Sequence, residues 1–134
     1  REGVTEIKAN LVQNYSPCNT YHNGNAGCVD NILEFIKDNM HISFSLTIKF
    51  ANFYKIYYER EDESWKKSSN MKGLVKLRKN GVALQLLEGE QGWNDFFNDF
   101  VDVSDEDETR LRERAKSKER IDREKYDEII LNYT

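Results

Sequence analysis

The spacing of the hydrophobic residues changes along this chain, and each change predicts a new element. Apolar residues recur at helical spacing over residues 4–12, which predicts a short first helix. Ser16-Pro17 ends it, because the residue before a proline disfavours the helical conformation. An apolar stripe over residues 29–37 predicts a second helix.

The period then becomes two. Over residues 41–50 apolar side chains alternate with small polar ones, which predicts a strand with one buried face. Residues 52–59 are aromatic and β-prone, and they predict a second strand. The alternative is one helix over residues 42–60, because several of the same apolar residues also form a helical stripe: Leu46, Phe50, Phe53 and Tyr57.

Asn80-Gly81 lies between two apolar runs and is typical of a two-residue type I′ hairpin turn. Folding the chain about this turn pairs Leu77 with Leu84 and Val75 with Leu86, so that all four apolar side chains share one face. The turn and the pattern therefore predict an antiparallel hairpin over residues 74–87.

Helical spacing returns after Gly92, where an aromatic face predicts another helix: Trp93, Phe96, Phe97 and Phe100. Ser104 is predicted to cap a last helix, with Asp107 three residues on, as in a capping box. Residues 104–131 are mostly charged with a thin apolar seam, and they predict one long, solvated helix.

Together these elements predict an α+β fold in one domain over residues 1–134. Short N-terminal helices precede an antiparallel sheet that contains the Asn80-Gly81 hairpin, and C-terminal helices follow. An all-α helical domain is the alternative.

Charge and hydropathy restrict the function classes. The net charge of −4 argues against a general nucleic-acid binder, because phosphate affinity needs uncompensated cations. No apolar stretch approaches the ~20 residues of a membrane span. One stretch is locally basic, and we interpret it as the solvated face of the hairpin, with a patch for an acidic partner as the alternative: Lys66, Lys67, Lys72, Lys76, Arg78 and Lys79.

Two cysteines, Cys18 and Cys28, bracket a polar Asn/Gly-rich segment and predict a disulfide-closed loop. Two glycosylation sequons begin at Asn14 and Asn132. Both features favour an extracellular or secretory-lumen protein; the alternative is a cytoplasmic protein with two thiols. No signal peptide is visible, and the start at Arg1 suggests a mature form or a fragment. The cysteine spacing does not match the C-x-x-C of redox or zinc motifs.

Catalytic signatures are absent from the sequence. The two histidines, His22 and His41, lack partners at ligand spacing, and no nucleophile elbow or phosphate-binding glycine loop exists. The sequence therefore predicts no catalytic residues, no metal site, no cofactor and no enzyme.

The aromatic residues exceed what a small core needs, and three tyrosines on one strand cannot all face inward. We therefore expect a secreted or ectodomain, non-enzymatic module that binds another protein. The candidate partner-binding residues are Tyr54, Tyr57, Tyr58, Trp65, His22 and Asn23. The alternatives are a carrier of a small apolar molecule and a cytosolic interaction domain that uses the charged C-terminal helix.

Overall fold

A computed structural model describes residues 3, 5–19, 27–100, 102 and 104–134. Its strands are β1 (Glu6–Tyr15), β2 (Ser43–Asn52) and β3 (Ala83–Leu86). Its α-helices are α1 (Cys28–Asp38), α2 (Ser69–Lys79), α3 (Gly89–Phe100), α4 (Asp105–Ala115) and α5 (Lys118–Tyr133). A short 3-10 helix, Ser64–Lys67, precedes α2.

The three strands form one sheet in the order β1-β2-β3, and both pairs of neighbours are parallel. In this register Leu11 lies beside Ile48, and Ile48 lies beside Leu84. Parallel neighbours need long crossover connections, which here contain α1 and α2. The fold contains both helices and one sheet, as the predicted α+β class requires. The prediction of an antiparallel sheet is wrong, because the sheet is parallel.

The core lies on one face of the central strand, β2. Leu46, Ile48 and Phe50 point to this face and are buried, whereas Ser43 and Ser45 on the other face are exposed. Both crossover helices pack on the apolar face, with Val29 from α1 and three residues from α2: Met71, Leu74 and Leu77. The strict alternation of β2 therefore decides which side of the sheet the helices cover.

Strand β1 replaces the helix predicted over residues 4–12. Ile7, Ala9 and Leu11 also alternate with polar residues, so the segment satisfies both periods, and short apolar runs do not distinguish them. Pairing with β2 decides the outcome, because the whole length of β1 hydrogen-bonds to it. Since β1 is an edge strand, Ile7 and Leu11 stay 38% and 43% exposed.

Asn80-Gly81 ends a helix rather than turning a hairpin. The N–H of Val82 donates to the carbonyl of Leu77 at 3.1 Å, and the N–H of Gly81 donates to that of Arg78 at 3.1 Å. This pattern is a Schellman cap, which requires the left-handed φ of +85° that Gly81 adopts. The predicted hairpin is wrong because the same dipeptide serves both turns, and residues 74–79 bury a helical stripe.

The second predicted strand, residues 52–59, is not a strand. The chain leaves the sheet after Asn52, and Lys55 adopts a left-handed φ of +49°. Phe53 and Ile56 lie on irregular backbone, and their side chains are buried in the core.

Helix α1, strand β2 and helix α3 confirm the elements predicted over residues 29–37, over residues 41–50 and around Trp93. The Ser104 cap is also confirmed, since its Oγ accepts from the N–H of Asp107 at 3.3 Å. The long charged helix is instead two helices, because Ser117 caps the start of α5. In the described ranges no helix is long and apolar enough to cross a membrane.

Gly73 allows α2 to approach the segment that joins β1 to α1. A Cβ atom at this position would lie 2.6 Å from Cβ of Asn19 and 2.9 Å from Cγ2 of Val29. Such distances are shorter than van der Waals contact, so the side chains of Asn19 and Val29 sit as close to α2 as a glycine permits.

We expect Gly73→Ala to lower the free energy of unfolding by about 1–3 kcal/mol, because the new methyl group forces the two segments apart. Gly92→Ala is the matched control in α3, where nothing lies within 4 Å of the added Cβ. That variant should be neutral or more stable by up to about 1 kcal/mol. Urea denaturation measures both, and equal effects would contradict the packing argument.

Candidate functional site

The two cysteines lie together at the carboxyl end of β1. Cys18 follows the strand by three residues, after the buried Ser16 and Pro17, and Cys28 is the first residue of α1. In open parallel sheets, ligands bind at this edge, where strands end and helices begin.

The sulfur atoms of Cys18 and Cys28 are 3.4 Å apart. A disulfide bond is ~2.05 Å long, so the two sulfurs are in contact but not bonded. The structure therefore contains a pair of thiols in place of the disulfide predicted from the sequence. Whether the pair is oxidised in an extracellular compartment stays a prediction.

The first turn of α1 holds Cys18. The N–H of Cys28 donates to Sγ of Cys18 at 3.4 Å, and the N–H of Val29 donates to the carbonyl of Cys18 at 3.0 Å. Gly27 precedes the helix and offers no side-chain cap. Cys18 thus accepts two hydrogen bonds from the helix N-terminus, one at its carbonyl and one at its sulfur, and the second favours negative charge on that sulfur.

Helix α2 fixes the residue that follows Cys18. The N–H of Asn19 donates to Oδ1 of the buried Asn70 at 2.8 Å, and Nδ2 of Asn19 donates to the carbonyl of Ser69 at 2.9 Å. Ser69 Oγ returns a hydrogen bond to the carbonyl of Asn19 at 3.2 Å. The cysteine pair is therefore held from both crossover helices.

Partial burial raises the pKa of the Cys28 thiol above its ordinary value of 9.0, and the hydrogen bond with Cys18 raises it further. The backbone donors only partly oppose this shift. In the absence of a cation the Cys28 thiol is therefore neutral at physiological pH, and a bound cation would be needed to make it a thiolate.

Among the residues that the structure describes, no group of three or more His, Cys, Asp or Glu side chains could hold a metal ion. In the described ranges, Cys18 and Cys28 are two neighbouring side chains of a kind that can bind a metal ion. His22 and Asn23, predicted from the sequence as partner-binding residues, lie outside the described ranges.

The other predicted partner-binding residues differ in their exposure to solvent. Tyr54 is half-buried with its ring 5.9 Å from that of Tyr15. Tyr58 packs between Trp65 and Tyr126, and Trp65 is buried. Tyr57, by contrast, is 75% exposed.

The predicted basic patch lies on helices rather than on a hairpin, and several of its members are engaged. Lys66 pairs with Glu63 at 2.9 Å, and Lys76 pairs with Asp30 at 3.5 Å. Arg78 donates to the carbonyl of Leu84 at 3.2 Å. Two of the basic residues lie in the 3-10 helix and four lie in α2: Lys66 and Lys67 in the first, and Lys72, Lys76, Arg78 and Lys79 in the second.

Both sequons lie on exposed positions of regular elements. Asn14 is in β1, and its Oδ1 accepts from Nδ2 of Asn52 at 2.8 Å. Asn132 is exposed near the end of α5. Glycosylation at these positions stays a prediction.

Arg120 of α5 ties the ends of two strands together, which the sequence did not reveal. Its guanidinium donates to the carbonyl of Ala51 at 2.7 Å and to that of Leu87 at 3.3 Å. It also pairs with Glu124 at 3.3 Å and lies 5.2 Å from the ring centroid of Trp93. The contact is invisible in the sequence because it joins residues far apart along the chain.

A cluster of carboxyl groups lies between the end of β3 and α5. Burial, a hydrogen bond with Glu128 and the charges of Glu124 and Asp127 raise the pKa of Glu88 to about 8. Asp127 is itself buried, which raises its pKa against the opposing charges of Arg123 and Arg120. Glu88 therefore carries its proton at neutral pH.

Comparison with models of known protein families and with curated proteins finds no match for this sequence.

The acidic cluster predicts a pH dependence of stability. The pKa of Glu88 is 4.5 when unperturbed and about 8 in the fold, so the native state binds the extra proton. The free energy of unfolding should therefore fall as the pH rises from 4.5 to 8. Glu88→Gln keeps a donor for Glu128 and cannot ionise, so it should flatten this decline.

Urea denaturation over this pH range measures the effect. The exposed Glu61→Gln is the matched control and should follow the wild-type curve. A decline that is equally steep in Glu88→Gln would show that Glu88 does not retain its proton.

Proposed function

We propose that this protein binds a zinc ion, with Cys18 and Cys28 as two thiolate ligands. The observation that supports this proposal is the 3.4 Å separation of two unbonded sulfurs. Two thiolates that each lie ~2.3 Å from a tetrahedral zinc are about 3.8 Å apart. A small side-chain adjustment brings the observed pair to that distance.

The surroundings of the pair suit a metal better than a reactive thiol. A reactive cysteine has a lowered pKa, whereas the pKa of Cys28 is raised. Zinc itself drives deprotonation of its cysteine ligands, so a raised pKa does not prevent binding. The backbone N–H of Cys28 then stabilises the charge on Sγ of Cys18.

Two cysteines supply two of the four ligands of a tetrahedral zinc ion, so the proposal requires two further ligands beside them.

Cobalt(II) is the probe for the metal site, because cobalt thiolates absorb by ligand-to-metal charge transfer. We expect the protein to show this absorption, and Cys18→Ser and Cys28→Ser to lose it. Binding should weaken on acidification, since protons compete for both sulfurs. Met40→Ser is the control, because Met40 is 78% exposed on another segment. Undiminished absorption in both cysteine variants would rule out this site.

A second candidate function is the protein-binding module predicted from the sequence, and the exposure of Tyr57 favours it. Tyr57→Ala should abolish retention of a protein partner while leaving the urea midpoint unchanged. Tyr58→Ala is the contrast, since it removes packing on Trp65 and Tyr126 and should cost at least about 1 kcal/mol. Partner retention by Tyr57→Ala at the wild-type level would contradict this candidate.

A further inference from the structure

A cavity of about 510 Å³ opens between the ends of β1 and β2 and the three C-terminal helices. Its volume is within the range of small-molecule sites. None of its lining residues belongs to the cysteine pair, so it is separate from the proposed zinc centre.

Aromatic and aliphatic side chains form one part of the wall of this cavity. Trp93 and Phe96 of α3 both line it, with ring centroids 6.1 Å apart and nearly perpendicular. Tyr15 and Leu111 also line it, and they remain 51% and 39% exposed. These faces are apolar, accessible and concave, which is the combination that a planar apolar group fills.

Cationic side chains outnumber anionic ones around the cavity. Arg114, Arg120 and Arg123 line it against one carboxylate, Glu119, although the whole chain is acidic. Arg120 is already engaged with strand-end carbonyls and with Glu124. In the described part of the chain Arg114 and Arg123 are exposed and make no ion pair, although Arg123 acts electrostatically on Asp127.

Arg120 holds Trp93, which lines the cavity, in a fixed position. Because Arg120 bonds to the carbonyls of Ala51 and Leu87 and lies over Trp93, the indole is held in place before any ligand arrives. Trp93 Nε1 also donates to Oε1 of Glu124 at 3.2 Å. A preorganised aromatic wall lowers the entropic cost of binding.

We propose that this cavity binds a planar aromatic anion. The ring lies against Trp93, Phe96 and Tyr15, and the anionic group meets Arg114 and Arg123 at the rim. Guanidinium groups bind carboxylates and sulfonates in a bidentate manner, which gives the site its preference for an anion over a neutral ring of the same shape.

Naphthalene-2-sulfonate is the test probe, and naphthalene-2-sulfonamide is its neutral counterpart of almost the same shape. Isothermal titration of the chain should show sulfonate binding at least about tenfold tighter than sulfonamide binding, since charge-assisted hydrogen bonds are lost in the neutral probe. Added salt should weaken only the sulfonate.

Arg114→Gln and Arg123→Gln should each weaken sulfonate binding about tenfold and leave sulfonamide binding unchanged. Arg110→Gln is the matched control on α4, because Arg110 pairs with Asp107 and does not line this cavity. Phe96→Leu should weaken both probes, and urea denaturation verifies that each variant is folded.

Equal binding of the two probes would show an apolar pocket without anion recognition and would overturn the proposal. So would unchanged sulfonate binding in both arginine variants, or no binding of either probe to the folded wild-type chain.

Discussion

Burial of one face of β2 is the interaction on which the rest of this fold depends. Leu46, Ile48 and Phe50 occupy the centre of the core, and α1 and α2 contact the sheet on that face. Because both neighbours of β2 are parallel to it, each crossover must return across the sheet before the next strand begins. This return places the end of β1 beside the start of α1, where the two cysteines meet.

The elements that sequence reasoning predicted correctly are those whose main pattern agrees with the final structure. Strand β2 alternates from Ser43 to Phe50, which outweighs the helical stripe that the same segment also offers, and α1 carries a stripe that no strand could bury. The errors arose where one pattern fits two structures. Residues 4–12 fit both periods, and Asn80-Gly81 serves a hairpin turn and a helix cap equally well. Only long-range pairing decides such cases, and a single sequence does not contain that information.

The candidate zinc site was missed for a related reason. The sequence argument compared the separation of the cysteines along the chain with that in C-x-x-C motifs, and the separation did not match. The two cysteines are nevertheless neighbours in space, because the N–H groups of Cys28 and Val29 at the start of α1 donate hydrogen bonds to Cys18.

Helix α2 also holds the residue that follows Cys18, through hydrogen bonds and close packing. Asn70 and Ser69 bind both backbone groups of Asn19, and Gly73 lets the helix come within contact distance. A loop of nine residues would otherwise leave Cys18 free to rotate away from Cys28, because long loops constrain their ends only weakly. Three elements therefore hold the two cysteines beside each other. This arrangement costs packing freedom in α2, where only glycine fits at position 73.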